Sequence, residues 1–226
     1  MMAGIARSGA GRPAPVTLRD NTASWQYPPR WKNRALAQTT GALAGQRFKT
    51  VAFTGHRPEK LPWGTDEMCT EALMYKFRLR EALEYLIGRG YVNFLSGAAR
   101  GFDTIAAEIV LSLREIYPWV RLVVVLPCAD QATRWNDSDR ARWEHIVQNS
   151  DHVETMAPAF DRGCMFRRNR YLVDNADMVL AAYDGRSGGG TAMTVEYARK
   201  RGVKVRRLGF EKKPTGNMPT NIEGEQ

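Results

Sequence analysis

The stretch from Tyr91 to Asp103, Tyr-Val-Asn-Phe-Leu-Ser-Gly-Ala-Ala-Arg-Gly-Phe-Asp, limits the fold more than any other part of the chain. A short apolar run, Tyr91 to Leu95, ends in Ser96, Gly97 and Gly101, and the residues from Thr104 to Leu111 then take up helical periodicity. A strand that restarts as a helix across a glycine-bearing turn gathers backbone N–H groups and a helix N-terminus at one point in space. Such a turn is an anion site by construction. It places the chain among nucleotide- or phosphate-binding α/β domains.

The rest of the sequence repeats the alternation. A first strand is predicted from Phe48 to Phe53, ending at Thr54-Gly55-His56-Arg57-Pro58. Thr65 or Asp66 can cap a helix running from about Glu67 to Gly88, with Leu73, Phe77, Leu83 and Ile87 as its buried stripe. The helix after Asp103 runs to Ile116. Val120 to Leu126 reads as a buried parallel strand, Trp135 to Gln148 as a helix, and Val153 to Met156 as a short strand. A helix from Met165 to Val173, a strand from Met178 to Tyr183, a helix from the glycines at 188–190 to Arg201 and a last strand from Val203 to Leu208 complete the series. This order predicts an α/β fold with an open, mostly parallel sheet and helices on both faces. In such sheets ligands bind beyond the carboxyl ends of the strands, where loops 54–58, 96–101 and 184–191 converge.

A chain of 226 residues fits one domain. Its formal charge of +9 is unevenly placed: residues 1–46 carry six basic and one acidic side chain, residues 47–210 carry 25 and 20, and the last sixteen carry two and three. Residues 1–46 read as a flexible basic arm, apart from the Trp25 to Trp31 segment, and 211–226 as a disordered tail. The remaining domain is mildly basic, which suits a phosphate-bearing small molecule without requiring nucleic acid. No apolar run approaches the ~20 residues of a membrane span and no secretory signal is expected. Cys69, Cys128, Cys164, His56, His145 and His152 show no metal-ligand spacing, so no metal is expected and a cytoplasmic location is.

Within the converging loops, Gly188, Gly189 and Gly190 let backbone approach a ligand, while Thr191 can cap the next helix or donate to phosphate. Thr194 and Glu196 follow in that helix. Arg57 can fork onto a phosphate, with Thr54, Gly55 and His56 beside it. His56 is also an acid–base candidate. Asp103 can cap its helix, accept from a ribose or orient loop 96–101, and capping is the expectation. On the helix carrying Arg167, Arg168, Asn169 and Arg170, at most two arginine side chains share a site; Asn169 with Arg167 or Arg170 is the expected set. Asp174 stands at i+4 from Arg170, a pairing distance. No spaced-glycine dinucleotide fingerprint and no Gly-Lys-Ser/Thr loop is present.

Thr54-Gly55-His56-Arg57-Pro58, Ser96 to Asp103, Arg168-Asn169-Arg170 and Gly189-Gly190-Thr191, in this order, resemble the YpsA-like branch of the SMF/DprA–LOG (SLOG) superfamily over about residues 48–208. The resemblance implies a Rossmann-like fold and a bound nucleotide or nucleotide derivative, with no cofactor firmly implied and a homo-oligomer as an expectation. Two relatives imply different activities. DprA, which binds single-stranded DNA, shares the pattern at 96–103 and 168–170; by that reading Trp25, Trp31 or Trp63 would stack on bases. The LOG group hydrolyses a nucleotide N-glycosidic bond. Its glutamate falls within three residues of the threonine, whereas Glu196 lies five beyond Thr191, a rotation of roughly 200° away. The leading expectation is therefore a nucleotide-binding, sensor-like protein. A hydrolase using Asp103, Glu196 or His56, and a DNA-binding protein, are the alternatives.

Overall fold

The computed structural model describes residues 48–210. The segments read as arm and tail, with Trp25 and Trp31, lie outside the described residues. Six strands alternate with five helices: β1 (Lys49–Gly55), α1 (Thr70–Ile87), β2 (Tyr91–Ser96), α2 (Phe102–Ile116), β3 (Arg121–Leu126), α3 (Asp137–Asn149), β4 (His152–Thr155), α4 (Cys164–Asp174), β5 (Met178–Ala182), α5 (Gly189–Lys200) and β6 (Lys204–Arg207). A single 3-10 turn, Pro58–Lys60, follows β1. All strand pairs among the described residues are parallel, in the order β4-β3-β2-β1-β5-β6. This is the open Rossmann-like sheet that the alternation predicts. No helix among the described residues is long and apolar enough to cross a membrane.

Successive strand side chains point to opposite faces, and each face is covered. Val51 and Phe53 of β1, Phe94 of β2 and Leu122 and Val124 of β3 pack with α1, α2 and Ile146 of α3. Ala52, Leu95, Val123 and Val179 point the other way, against Leu172 of α4 and Val195 and Ala198 of α5. Central strands buried on both faces therefore read as unbroken apolar runs. The edge strands β4 and β6 are only partly buried and carry His152, Glu154, Lys204 and Arg206.

One expected stripe is corrected. Helix α1 starts at Thr70, with Cys69 rather than Thr65 or Asp66 in the cap position. Its core face is Ala72, Tyr75, Leu79, Ala82, Leu83 and Leu86, while Leu73 is 45% and Phe77 56% exposed. Tyr75, Leu79, Ala82 and Leu86 keep the i, i+3, i+4 rule, and Leu73 and Phe77 fall about 100–200° around the helix from Ala72. Leu83 and Ile87 of the expected stripe are buried, and in the first half of the helix packing against β2 and α2 takes Ala72, Tyr75 and Leu79 in place of Leu73 and Phe77.

The strand order reverses between β1 and β5, so the loops after these two strands diverge and leave a crevice. They are stitched together at its floor, where His56 N–H donates to Ala182 O at 3.0 Å.

Candidate functional site

The turn between β2 and α2 is held from all sides. The buried Ser96 hydroxyl donates to Asp103 O at 2.9 Å and accepts from Ala98 N–H at 3.1 Å. Thr104 Oγ1 donates to Ala99 O at 2.8 Å. From the β3–α3 loop, Gln131 Nε2 donates to Gly97 O at 3.2 Å and Ala98 O at 3.0 Å. Phe102 N–H reaches across to His56 O at 3.1 Å. Gly101 takes φ +89°, and a Cβ there would stand 2.6 Å from that same carbonyl, so both conformation and space require glycine.

Asp103 is 5% exposed and does not cap α2; Gly101 occupies the cap position, and no side chain caps this helix. Its carboxylate instead turns back to accept from Ala99 N–H and, at 3.1 Å, from Arg168 Nη1. Of the three roles open to Asp103, the structure realises the orientation of loop 96–101. Arg168, on α4, is itself only 6% exposed, and its Nε has no hydrogen-bond partner among the described residues. The guanidinium lies directly over Gly97, where an added Cβ would fall 1.4 Å from Nη1 and 2.8 Å from Asp103 Oδ2. Gly97→Ala is therefore expected to push Arg168 off the carboxylate and lower stability by about 1–3 kcal/mol, the range for overpacking a filled site; urea denaturation measures it.

Arg57 stands beside this pair, half-buried at the end of β1. Burial lowers its pKa; Asp103 pulls the other way and Arg168 adds repulsion. Burial also raises the Asp103 carboxyl above its ordinary range, against the pull of Arg168, Arg57 and the Ala99 N–H. One carboxylate thus faces two guanidinium groups. The Arg57 guanidinium makes no hydrogen bond or ion pair among the described residues, while Arg100 is engaged by Asp139 at 2.7 Å and Glu59 at 3.4 Å.

At the crevice between β1 and β5, Gly188 (φ +90°) leads into α5, with Gly189 at φ +83° and Gly190 next. A Cβ on Gly189 would stand 3.7 Å from Lys60 Nζ, and one on Gly190 would stand 3.9 Å from Asn169 Nδ2. A lysine, an amide and a helix N-terminus therefore share this corner. Thr191 ties the helix down by donating to Gly55 O at 3.0 Å, and Thr194, 3% exposed, donates to Gly190 O at 2.7 Å. Gly55 itself abuts Phe102, and Thr54 is buried in β1. His56 Nε2 accepts from Asp184 N–H at 3.2 Å, with Asp184 Oδ1 at 3.4 Å, and its ring lies between Tyr183 and Phe210. The ring thus braces the loop after β1 against the loop after β5.

Other expected residues point elsewhere. Arg167 pairs with Asp161 on the surface. Arg170 stacks between Phe166 and Tyr197, and Asp174 accepts from Tyr197 and Arg201. Glu196 is exposed and paired with Lys200 at 2.7 Å. Trp63 is buried in an aromatic cluster with Tyr75 and Phe210. Arg168, outside the expected set of Asn169 with Arg167 or Arg170, is the arginine of this helix that reaches the β2–α2 turn. Its signal was present, because Cys164, Arg168, Tyr171 and Leu172 fall at i, i+4, i+7 and i+8, which is the buried face of α4. Among the described residues no group of three or more His, Cys, Asp or Glu could hold a metal ion.

Residues 51–212 match the YpsA family model, described as the YspA SLOG family. The chain is also 31% identical over 154 residues to a UPF0398 protein of Bacillus pumilus, covering 67% of this chain and 82% of that protein. A UPF0398 protein of Bacillus thuringiensis (strain Al Hakam) is 28% identical over 158 residues, 69% of this chain and 85% of the relative. The matched span runs from within β1 through β6 and contains the loop at 96–101 and the Gly188–Gly190 turn. This chain belongs to the YpsA branch of the SLOG family.

Proposed function

We propose that the protein binds a nucleotide or nucleotide derivative in a sensor-like role, with the phosphate at the rim where the loops after β1, β2 and β5 meet. The observation that carries this reading is Arg57: a half-buried guanidinium without a hydrogen-bonded partner among the described residues, beside a buried Arg168–Asp103 pair. Burying part of a cation unpaired is costly, and a phosphate supplies the missing counter-charge. Lys60, Asn169 and the α5 N-terminus offer further donors at the same rim. A cytoplasmic location fits such a ligand.

Two alternatives receive less support. Of the residues open to an N-glycosidic hydrolase, Asp103 is engaged by Arg168, Glu196 faces solvent with Lys200, and His56 Nε2 accepts from Asp184 N–H. The single-stranded DNA reading loses Trp63 as a stacking surface, because that ring is buried. The test is a thermal-shift series on the full chain with nucleoside mono-, di- and triphosphates, together with mass spectrometry of any copurifying small molecule. A ligand at 100 times its Kd adds about 2.7 kcal/mol, a rise of about 5–11 °C in Tm for a domain of this size. No shift with any nucleotide and no retained ligand would overturn the proposal.

A further inference from the structure

A second concavity adjoins the rim, on its β2–β3 side. Its volume is about 340 Å³, and its lining includes Pro58, Gly101, Thr65, Glu67, Ser138 and Arg142. That volume lies near the lower end of the range ligand sites occupy, about 300–1,000 Å³. Pro58 directly follows Arg57, and Gly101 packs against His56 O, so the cavity begins where the anion locus ends. Arg100, in its wall, is close enough to repel the Arg57 guanidinium, so the two places are neighbours.

We infer that this cavity holds the sugar of the ligand whose phosphate Arg57 receives, an inference that rests on the function proposed above. Charge excludes a second anion. Arg142 is bidentate to Glu67, at 2.7 and 3.1 Å, and to Glu108, at 2.7 and 2.6 Å. Arg100, also in the wall, is neutralised by Asp139 and Glu59. Each cation is matched by carboxylates, so a further negative group would meet as many acids as bases. Chemistry disfavours the base: no aromatic side chain lines the cavity, and a purine or pyrimidine would have no ring to stack on. Nor is the wall apolar enough for a lipid chain. What it does offer is alternating donors and acceptors, with the side-chain hydroxyls of Thr65 and Ser138 lacking protein partners among the described residues. A neutral, hydroxyl-rich ring matches that pattern, with hydroxyls donating to Glu67 or Asp139 and accepting from Ser138 and Thr65.

The experiment is calorimetric titration of the full chain with inorganic phosphate and with ribose 5-phosphate, in the wild type and in Ser138→Trp. Ser138 is an exposed residue in the first turn of α3, so the indole enters the cavity without touching the core; a thermal melt verifies folding. The wild type is expected to bind ribose 5-phosphate at least tenfold more tightly than phosphate. In Ser138→Trp this ratio is expected to fall to near one while phosphate affinity is unchanged. Ser138→Ala gives an intermediate ratio. If phosphate binds but the wild-type ratio is already near one, or Ser138→Trp leaves the ratio intact, the sugar subsite is overturned and the phosphate site stands. If neither compound binds, the Arg57 reading falls, and the subsite with it.

Discussion

Asp103→Ala is expected to lower the stability of the fold by about 3–5 kcal/mol, the cost of removing one partner from a buried ion pair. The carboxylate is almost fully enclosed and accepts a hydrogen bond from Arg168 Nη1. Without it, Arg168 keeps its charge inside the protein, and the neighbouring Arg57 turns from a partly compensated cation into one of two repelling ones. The Ala99 N–H loses its acceptor too, which loosens loop 96–101. In a thermal melt this corresponds to a fall of roughly 6–20 °C. Asp103→Asn keeps the shape but not the charge and should fall between wild type and alanine. The double replacement Asp103→Leu with Arg168→Met removes both charges together, and it should recover much of the loss, since an apolar pair of similar volume often serves as well. If Asp103→Ala melts like the wild type, the buried pair is not what organises this turn.

Arg57→Ala should give the opposite division: binding lost, fold retained. Its guanidinium makes no hydrogen bond among the described residues, and burial and Arg168 disfavour its charge in the folded state more than Asp103 favours it. Removing it is therefore expected to leave urea stability unchanged or slightly higher. The phosphate contact it would make is charge-assisted, about 1.5–3 kcal/mol, so affinity for AMP should fall about 10–150-fold. Arg57→Lys keeps the charge without the planar fork and should recover part of that. Calorimetry on the three proteins reads the effect. Equal AMP affinity in Arg57→Ala and wild type would remove this residue from the site, and with it the observation on which the functional proposal stands.

Much of this arrangement was legible before any coordinates. The alternation of apolar runs with helical periods announces a parallel sheet, because strands covered on both faces must be apolar throughout. Glycine at 101, 188 and 189 marks where backbone turns with positive φ, and the loops after β1, β2 and β5 share one rim because parallel strands end on the same edge. Side-chain partners were less visible. Asp103 at the start of a helix looks like a cap by local rule, yet Arg168, 65 residues later, draws it inward. Thr191, open by sequence to capping or to phosphate donation, spends its hydroxyl on Gly55 O, and Thr194 spends its own on Gly190 O.

The opening stretch shows where the division lies. Sequence alone determined that Tyr91 to Asp103 would be strand, turn and helix, since periodicity and glycine placement are properties of neighbours along the chain. Only the tertiary structure decided what the turn encloses. Gly97 is glycine because a guanidinium from α4 rests on it, and that guanidinium takes the Asp103 carboxylate, leaving Arg57 without a hydrogen-bonded partner among the described residues. Pairing among buried charges is set by distances across the sheet, and separation along the chain carries no record of those distances.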